Sequence, residues 1–387
     1  LVFNYVGHGG EVGLAEERVV TIPQINSWNN INALTLFVSA TCEFTKYDDP
    51  ARVSAGEWVA LNPNGGAIAL MTTTRSVYFG VNTTTGNKFF ENVFDRNPDG
   101  TPLAFGDIVM RTKNETGSSD NKRSFTLIGD PALKIALPSL NVITDSINGI
   151  SPDVAIDTIR ALSKVVMKGH IEDHLGNTMT GLNGVLTPSI FDKIKLQTTL
   201  GQDLYSPEIE YELQRNVIYK GKVSITNGTF EFSFVVPKDI SLNYGNGKIS
   251  YYGYSEQIDA GGYDTSVVIG GIDPNGISDA DGPEVTLFMN DENFVSGGQT
   301  DFEPILLAKI FDENGVNTVG NGIGHDITAI LDGNSSEPFI LNDFYVADLD
   351  SYQSGEIRFQ FNGLSPGRHT LEFKVWDVNN NSTKSSI

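Results

Sequence analysis

Two short apolar runs near the start of the chain constrain its fold more than any other feature. The first covers residues 1–6 and leads into Gly-His-Gly-Gly at His8, and the second covers residues 34–41 and leads into Cys42, the single cysteine of the 387 residues. Both runs are rich in β-branched and aromatic residues and are too short for helices, which predicts buried strands. The 34 positions from His8 to Cys42 allow a crossover connection, so we expect two parallel neighbouring strands.

His8 and Cys42 would then lie together at the carboxyl edge of one sheet, where open α/β folds place their sites. A free thiol, with a pKa of about 8.5, is mostly protonated at neutral pH, and a neighbouring imidazole can take its proton or stabilise the thiolate. The spacing therefore indicates a nucleophile and base pair. Because glycine has no side chain to block a substrate carbonyl, the N–H groups of Gly9 and Cys42 are candidates for an oxyanion hole.

The residues alone leave a second interpretation open. A lone cysteine is commonly a small buried hydrophobic residue, and a histidine beside glycine is commonly part of a turn.

Glu43, directly after the candidate nucleophile, also has two interpretations. It contacts the substrate or the incoming amine where the strand ends, or it is a structural or solvated carboxylate. In an extended strand its side chain would point away from Cys42.

Helices that cover the sheet are predicted for three segments after Cys42. The first covers residues 53–61 and ends before Asn-Pro. The second covers residues 87–95, with Phe89, Phe90, Val93 and Phe94 on one side. The third covers residues 101–113, with a Thr cap and with Phe105, Ile108, Val109 and Thr112 at helical spacing. Apolar runs at residues 67–71 and 125–128 have strand length. Strands that alternate with helices predict a mostly parallel α/β sheet over residues 1–138.

In the rest of the chain the hydrophobic pattern changes to a period of two. Apolar and polar residues alternate around Phe232 and Phe373, which predicts half-buried antiparallel strands. Residues 270–283 have turn chemistry almost throughout and are predicted to be a linker. We therefore predict two all-β, immunoglobulin-like sandwiches, over residues 139–276 and 283–387.

The formal charge is unevenly distributed, with a net −3 over residues 1–138 and a net −19 over residues 139–387. The acidic surface repels phosphate backbones, which disfavours nucleic acid as a partner, and it also repels anionic glycolipid. Solubility is the alternative reason for so many acids. No run of 18 apolar residues is present, and a single cysteine forms no internal disulfide. Because residue 1 lies within a strand-like run, we expect the sequence to be a fragment.

Two patterns resemble metal ligands but are not taken as sites. His170 and His174 are four residues apart, yet their flanking residues place them on a strand and a turn rather than on one helix face. Asp279, Asp281 and Glu284 offer oxygen ligands for Ca²⁺, but the EF-hand pattern is incomplete and a solvated turn is the favoured explanation. We therefore expect neither a metal ion nor a cofactor at the active site.

Separated motifs in the first third of the chain carry a family resemblance. The motifs are Gly-His-Gly-Gly-Glu at 7–11, Ala-Thr-Cys-Glu-Phe at 40–44, Asp-Asp-Pro at 48–50, Asn-Pro-Asn-Gly-Gly-Ala-Ile-Ala-Leu at 62–70, Thr-Thr-Thr-Arg at 72–75 and Phe-Thr-Leu-Ile-Gly-Asp-Pro-Ala-Leu at 125–133. They resemble the gingipain-like cysteine peptidases, which have a caspase-like fold. The resemblance implies that His8 and Cys42 are catalytic and that residues 1–138 are the carboxyl-terminal part of such a domain. The caspase signature Gln-Ala-Cys-Arg-Gly is absent, so aspartate specificity is not implied.

Within the family, the motifs are similar to those of the sortase of the bacterial type IX secretion system. This resemblance implies a cell-surface, outer-membrane-associated enzyme that cleaves the carboxyl-terminal secretion signal from cargo proteins. The cargo would then be transferred to an amine on anionic lipopolysaccharide. The resemblance also implies the PorV barrel and the attachment-complex proteins PorQ and PorZ as partners, with the sandwiches as docking modules.

Two other function classes stay open. A secreted gingipain-like endopeptidase would use the same residues but would resolve the acyl-enzyme with water. A catalytically inactive surface scaffold would use its sandwiches to bind partners. The intact set of His8, Gly9 and Cys42 argues against the scaffold.

Overall fold

The computed structural model describes residues 2–152, 154, 157–202, 206–256, 258–318 and 324–387. The chain separates into two compact units, Leu1–Leu137 and Pro138–Ile387. Within those described ranges, no helix is long and apolar enough to cross a membrane.

The first unit is an α/β domain built around a four-stranded sheet. Its strands and helices are β1 Val2–Val6, β2 Gly9–Gly10, β3 Gly13–Leu14, β4 Val20–Thr21, α1 Ile22–Ser27, β5 Thr35–Ala40, α2 Ala55–Leu61, β6 Ala67–Thr73, α3 Phe79–Asn92, α4 Phe105–Glu115 and β7 Phe125–Ile128. The strand order in the sheet is β1-β5-β6-β7. Strands β1, β5 and β6 are parallel, and β7 is antiparallel to β6, so the sheet is mostly parallel as predicted.

The two apolar runs at the start of the chain form the paired strands β1 and β5. These strands are parallel neighbours, with Val6 opposite Ala40, which confirms the predicted pairing. Leu1, the predicted first residue of the first strand, lies outside the described residues. Between the two strands the chain forms the small sheet β2-β3-β4 and the helix α1, which together make the crossover that parallel neighbours need.

Helices cover the central sheet on both faces. Leu36 of β5 belongs to an apolar cluster that includes Phe89 of α3. The next residue, Phe37, belongs to a second cluster, with Ile25 of α1 and Val59 of α2. Since β5 is buried on both faces, its sequence is a continuous apolar run rather than an alternating one.

Two of the predicted helices are confirmed, with shifted beginnings. The helix predicted over residues 53–61 is α2, which starts two residues later, at Ala55, because Ser54 forms a capping box at its beginning. The helix predicted over residues 101–113 is α4, and all four positions predicted on its buried side are buried. It begins at Phe105 rather than at Thr101, because the N–H and hydroxyl of Thr101 both donate to the Asp99 carboxylate instead of capping the helix.

The middle helix differs more from its prediction. A helix was expected over residues 87–95, whereas α3 begins eight residues earlier and ends at Asn92. The predicted buried position Phe94 is wrong, since its side chain lies beyond the helix and is 55% exposed. The first half of α3 gave no helical signal because its buried residues include the polar Asn82 and Thr85.

In the first part of the second unit, residues 140–272 form three sheets. The strands are β8 Leu140–Ile147, β9 Thr158–Ala161, β10 Lys164–Glu172, β11 Gly184–Phe191, β12 Lys195–Thr198, β13 Glu210–Leu213, β14 Val217–Lys220, β15 Val223–Ile225, β16 Thr229–Val235, β17 Gly245–Asn246, β18 Lys248–Tyr254, β19 Asp259–Asp264 and β20 Val268–Ile272. One sheet has the order β14-β11-β18-β19-β8-β10-β16, with β15 also paired to β11. A second has the order β17-β20-β9, and β12 and β13 form the third by themselves. Phe230, Phe232 and Phe234 are buried in the apolar core of this part of the unit, as their alternation predicts.

The second part of this unit is a β-sandwich. Its strands are β21 Glu284–Met289, β22 Ile305–Phe311, β23 Thr328–Leu331, β24 Phe339–Ile340, β25 Tyr345–Ala347, β26 Ser354–Gln360, β27 Leu371–Trp376 and β28 Ser382–Ser386. They form two antiparallel sheets, β21-β22-β26-β25 and β24-β23-β27-β28. Ile357 and Phe373 of opposite sheets lie in the shared core.

The predicted linker over residues 270–283 is wrong at its beginning. Gly270, Gly271 and Ile272 belong to β20, and irregular chain begins only at Asp273. The sandwich boundaries and the immunoglobulin-like topology stay predictions.

Candidate active site

His8 and Cys42 lie at the same edge of the central sheet. Each follows its strand by two residues, and the last residues of the two strands, Val6 and Ala40, are opposite one another. The Gly-Gly segment after His8 also contacts the chain just before Cys42, because a Cβ on Gly9 would lie 2.6 Å from Thr41 Oγ1. The backbone therefore brings His8 and Cys42 to the same edge of the sheet, as predicted.

The two reactive side chains do not bond to each other in this structure. The Cys42 thiol is partly buried, and its Sγ donates to the carbonyl oxygen of Val77 at 3.6 Å. The His8 side chain is exposed, and its ring makes no hydrogen bond with any residue that the structure describes. Since catalytic hydrogen bonds commonly tighten only when substrate binds, this arrangement is compatible with a resting active site.

The backbone of His8 is held firmly although its ring is free. The His8 carbonyl accepts hydrogen bonds from the Tyr5 hydroxyl at 2.6 Å and from the Ala15 N–H at 2.8 Å. Burial raises the pKa of Tyr5, which keeps its hydroxyl protonated as a donor. The N–H of Gly7 donates to the Ala40 carbonyl at 3.3 Å, so the loop is also fixed to the end of β5.

The two amides proposed for the oxyanion hole are available. The bond from Ala15 N to His8 O makes Gly9 and Leu14 a non-hydrogen-bonded pair of the β2-β3 ladder, so the Gly9 N–H points away from β3. The Cys42 N–H follows the end of β5 and has no hydrogen-bond partner in the described part of the chain. Both amides can therefore donate to a developing oxyanion whose carbonyl lies between them.

The chain turns sharply after Cys42. Strand β5 ends at Ala40, and Glu43 has a φ of +49°, so the premise that Glu43 continues an extended strand is wrong. The turn is bound to the end of β6: the Glu43 N–H donates to the Arg75 carbonyl at 3.3 Å, and Thr73 Oγ1 donates to the Thr41 carbonyl. The Glu43 carboxylate is partly exposed, with its Oε1 3.8 Å from Lys46 Nζ. Its contact with substrate stays a prediction.

Charged side chains connect the loop after His8 to the loop after Cys42. The Glu11 carboxylate lies 2.9 Å from Lys46 Nζ and 3.2 Å from Arg52 Nε, although the second pair lacks hydrogen-bond geometry. The hydrogen bond that Lys46 donates to Glu11 raises the pKa of Lys46. On the outer side of the same loop, Arg75 donates two hydrogen bonds to Asp48, at 3.0 and 2.6 Å, which lowers the pKa of that carboxyl.

Asn82 is a residue of the site that sequence reasoning missed. Its Nδ2 donates to the Ala40 carbonyl at 3.2 Å, and its buried Oδ1 has no hydrogen-bond partner in the described structure. Asn82 therefore anchors α3 to the end of the strand that carries Cys42. At the beginning of α3, Tyr78 and Phe79 are 76% and 78% exposed, next to the Val77 carbonyl that accepts the hydrogen bond of the thiol. Only an alignment of the helix start could have indicated these residues, because none has a motif of its own.

The described residues contain one group of acids close enough to hold a metal ion, and it lies in the second unit. Carboxylate oxygens of Asp279, Asp312 and Asp377 lie within 4.8 Å of one another. Asp281 and Glu284, considered with Asp279 from the sequence, are not in this group. His170 instead bonds to Asp145 at 2.8 Å. The prediction of a metal-free active site stays a prediction.

The fold and the two strand-end residues define the class of this unit. Residues 1–136 match the model of peptidase family C25, which confirms the predicted resemblance to the gingipain-like cysteine peptidases over that segment. Over residues 1–136 the first unit therefore has the sequence pattern of the C25 cysteine peptidases. A comparison with curated proteins gives no match.

Solved structures of two related proteins resemble the chain. Dimeric latent PorU from Porphyromonas gingivalis is 30% identical, over 76% of this chain and 28% of that chain, with a TM-score of 0.43. The Arg-specific cysteine proteinase gingipain R is 13% identical, over 67% of this chain and 52% of that chain, with a TM-score of 0.33. The chain therefore spans less than a third of the length of PorU.

Proposed function

We propose that the chain is the catalytic part of a cell-surface cysteine peptidase that acts as a sortase. It would cleave the carboxyl-terminal secretion signal from type IX cargo proteins and transfer the cargo to an amine on anionic lipopolysaccharide. The observation that carries the peptidase step is the position of His8 and Cys42 at the ends of paired parallel strands, within a segment that matches family C25. The sortase step rests on the motifs around residues 7–11 and 40–44, which resemble those of PorU.

In the proposed mechanism, Cys42 gives its thiol proton to His8, and its Sγ attacks the carbonyl carbon of the scissile bond. The Gly9 and Cys42 amides donate to the oxygen of the tetrahedral intermediate, and His8 protonates the leaving amine. The resulting thioester on Cys42 is resolved by the acceptor amine, whose proton passes to His8. The cargo then leaves as an amide, and the thiol is restored.

The thiol must first leave the Val77 carbonyl. In the observed contact the Cys42 thiol donates to this carbonyl oxygen and not to a base. Attack therefore requires the Cys42 thiol to exchange this partner for the His8 imidazole. Because the His8 ring is exposed and unbonded, its rotation breaks no hydrogen bond of the described structure.

The acceptor and partners follow from the same proposal. Residues 139–387 carry a net charge of −19 and repel an anionic lipopolysaccharide, so the acceptor should approach over the first unit, whose charge is nearly balanced. The proposed location is the outer-membrane surface, with the PorV barrel, PorQ and PorZ as partners of the sandwiches.

A catalytically inactive surface scaffold is the second candidate. One observation favours it: Cys42 bonds to Val77 and not to His8. A secreted endopeptidase would differ from the sortase only in the molecule that resolves the thioester.

One experiment distinguishes the sortase, the endopeptidase and the inactive scaffold. Full-length protein is mixed with a cargo protein carrying its secretion signal and with rising concentrations of glycine amide, and the cargo products are weighed by mass spectrometry. The sortase predicts a growing fraction of cargo ending in glycine amide, abolished in Cys42→Ala. Cargo that always ends in a free carboxylate, even with lipopolysaccharide present, would identify the endopeptidase. Uncut cargo, with no adduct on Cys42, would identify the scaffold.

A further inference from the structure

A two-stranded ribbon in the second unit has no covering partner in the described structure. Strands β12 and β13 pair only with each other, from Lys195 opposite Leu213 to Thr198 opposite Glu210. The pairing continues one step further, with the Thr199 N–H donating to the Ile209 carbonyl at 3.0 Å. We call residues 194–199 and 209–214 the ribbon.

Both faces of the ribbon are exposed. Leu196 on one face is 59% exposed, and Ile209 and Tyr211 on the other face are 57% and 45% exposed. None of the three belongs to an apolar cluster of the second unit. A two-stranded ribbon is marginally stable by itself, and a strand with an unpaired edge is a template for another strand. The exposed apolar residues therefore indicate that the ribbon is completed by something else.

The ribbon also carries uncompensated negative charge. Glu210 and Glu212 project to one face of β13, opposite Thr198 and Leu196, because paired residues of an antiparallel ladder share a face. Neither carboxylate has an ion-pair partner among the described residues. Tyr211 projects to the other face, so β13 alternates acidic and apolar side chains along its free edge.

We propose that the free edge of β13 binds a strand of another protein in which lysine or arginine alternates with apolar residues. Beside β13, the basic side chains would lie next to Glu210 and Glu212 on one face. The apolar side chains would lie next to Ile209 and Tyr211 on the other face. Backbone hydrogen bonds along the edge supply affinity, and the alternation supplies specificity.

The charge of the chain argues against a second copy as the occupant. The whole chain has a net charge of −22, so two ribbons brought together would place unpaired carboxylates near one another. A cationic strand relieves this charge instead. The proposal does not depend on the peptidase function, because it concerns residues of the second unit only.

The test uses the 387-residue chain and a labelled peptide of eight residues that alternates lysine and valine. Binding is measured by fluorescence anisotropy in about 0.15 M salt, where long-range attraction is screened. We expect Glu210→Lys/Glu212→Lys to weaken binding at least about tenfold. The matched control is Glu303→Lys/Glu337→Lys, which changes the net charge equally at exposed positions elsewhere, and we expect it to change binding less than about twofold.

Hydrogen exchange gives a second measurement, which does not depend on the variants folding well. Amides of residues 209–213 should exchange more slowly in wild type when the peptide is added, and a lysine–serine peptide should give no such protection. Two outcomes would overturn the proposal, because each would show only general attraction to an acidic protein. One is that both double variants weaken peptide binding equally. The other is that the peptide binds without protecting these amides. Dimerisation of the chain that is lost in Leu196→Ser/Tyr211→Ser would overturn it in favour of a second copy.

Discussion

Gly9 lies directly against Thr41, the residue before the candidate nucleophile, such that a Cβ on Gly9 would lie 2.6 Å from Thr41 Oγ1. Thr41 is fully buried, and its carbonyl is bonded by Thr73, so it has little room to retreat. The same added Cβ would lie 3.0 Å from the Gly13 carbonyl oxygen. The contact therefore fixes the distance between the loop that carries His8 and the strand end that carries Cys42.

The first prediction is that Gly9→Ala displaces this loop and lowers cleavage at least about tenfold. Removing an oxyanion-hole donor costs about 10²–10³ in kcat, and a displaced amide should lose part of that. Gly10→Ala is the matched control, because an added Cβ there meets nothing within 4 Å. The rate is measured on a peptide that spans a cargo secretion signal. Equal losses in both variants would show that the loop is merely intolerant of side chains.

The second prediction concerns the thiol. His8→Ala should slow alkylation of Cys42 by iodoacetamide at least about tenfold at pH 7, because the thiolate loses its imidazole partner. The difference should shrink towards pH 10, where the thiol ionises without help. His174→Ala is the control, since that histidine is exposed in a turn of the second unit. The labelling is followed by mass spectrometry. Equal labelling rates of wild type and His8→Ala across this pH range would show that His8 does not activate Cys42.

The backbone of the active site could be predicted from the sequence because its signals are local. The strands before His8 and Cys42 are continuous apolar runs, and each ends at a recognisable motif. The distance between the two ends follows from pairing two parallel strands in register. Such inferences need only the strand period and the length of the crossover.

Other parts of the site depend on contacts between distant residues and could not be predicted. The Cys42 thiol bonds to Val77, and Asn82 reaches the Ala40 carbonyl, through packing of α3 that no local pattern encodes. Tertiary burial overrides weak helix propensity in the first half of that helix. Likewise, the sequence grouped Asp279 with its neighbours, whereas folding brings it to Asp312 and Asp377.

The third prediction concerns the ion pairs between the two active-site loops. Glu11→Ala removes the pairs with Lys46 and Arg52 and should lower the stability of the first unit on the order of 1 kcal/mol, since the Glu11 side chain is only 14% exposed. Asp48→Asn is the control, because its pair with Arg75 is on the surface and should contribute less. Urea unfolding followed by fluorescence, with Trp376 replaced by Phe so that only Trp28 and Trp58 of the first unit report, measures the change. A larger effect from Asp48→Asn would contradict the proposed role of Glu11.

The last prediction is a pH dependence of the second unit. Burial, with further repulsion from Asp377 and Asp279, raises the pKa of Asp312 to about 6, although its carboxylate accepts the N–H groups of Asn314 and Gly315. A carboxyl whose folded pKa exceeds its unfolded pKa stabilises the fold below the unfolded value and loses that contribution as the pH rises through the folded value. Wild type should therefore lose stability between about pH 4 and pH 6 through this group.

Asp312→Asn keeps an acceptor oxygen for both N–H groups but carries no charge. It should match wild type near pH 4 and be more stable above pH 6, by about 1 to 2 kcal/mol after allowance for solvent screening. Replacing Trp28 and Trp58 by Phe leaves Trp376 as the sole tryptophan, so that its fluorescence reports unfolding of the second unit alone. Asp332→Asn is the control of opposite sign, because the hydrogen bond from His369 lowers the pKa of Asp332. Removing the Asp332 carboxylate should therefore lower the stability at neutral pH but not at pH 3. Asp312→Asn that is equally or less stable than wild type at pH 7 would contradict the prediction. It would mean that a bound cation or a proton neutralises the buried carboxylate, so that repulsion among the three acids does not lower the free energy of unfolding.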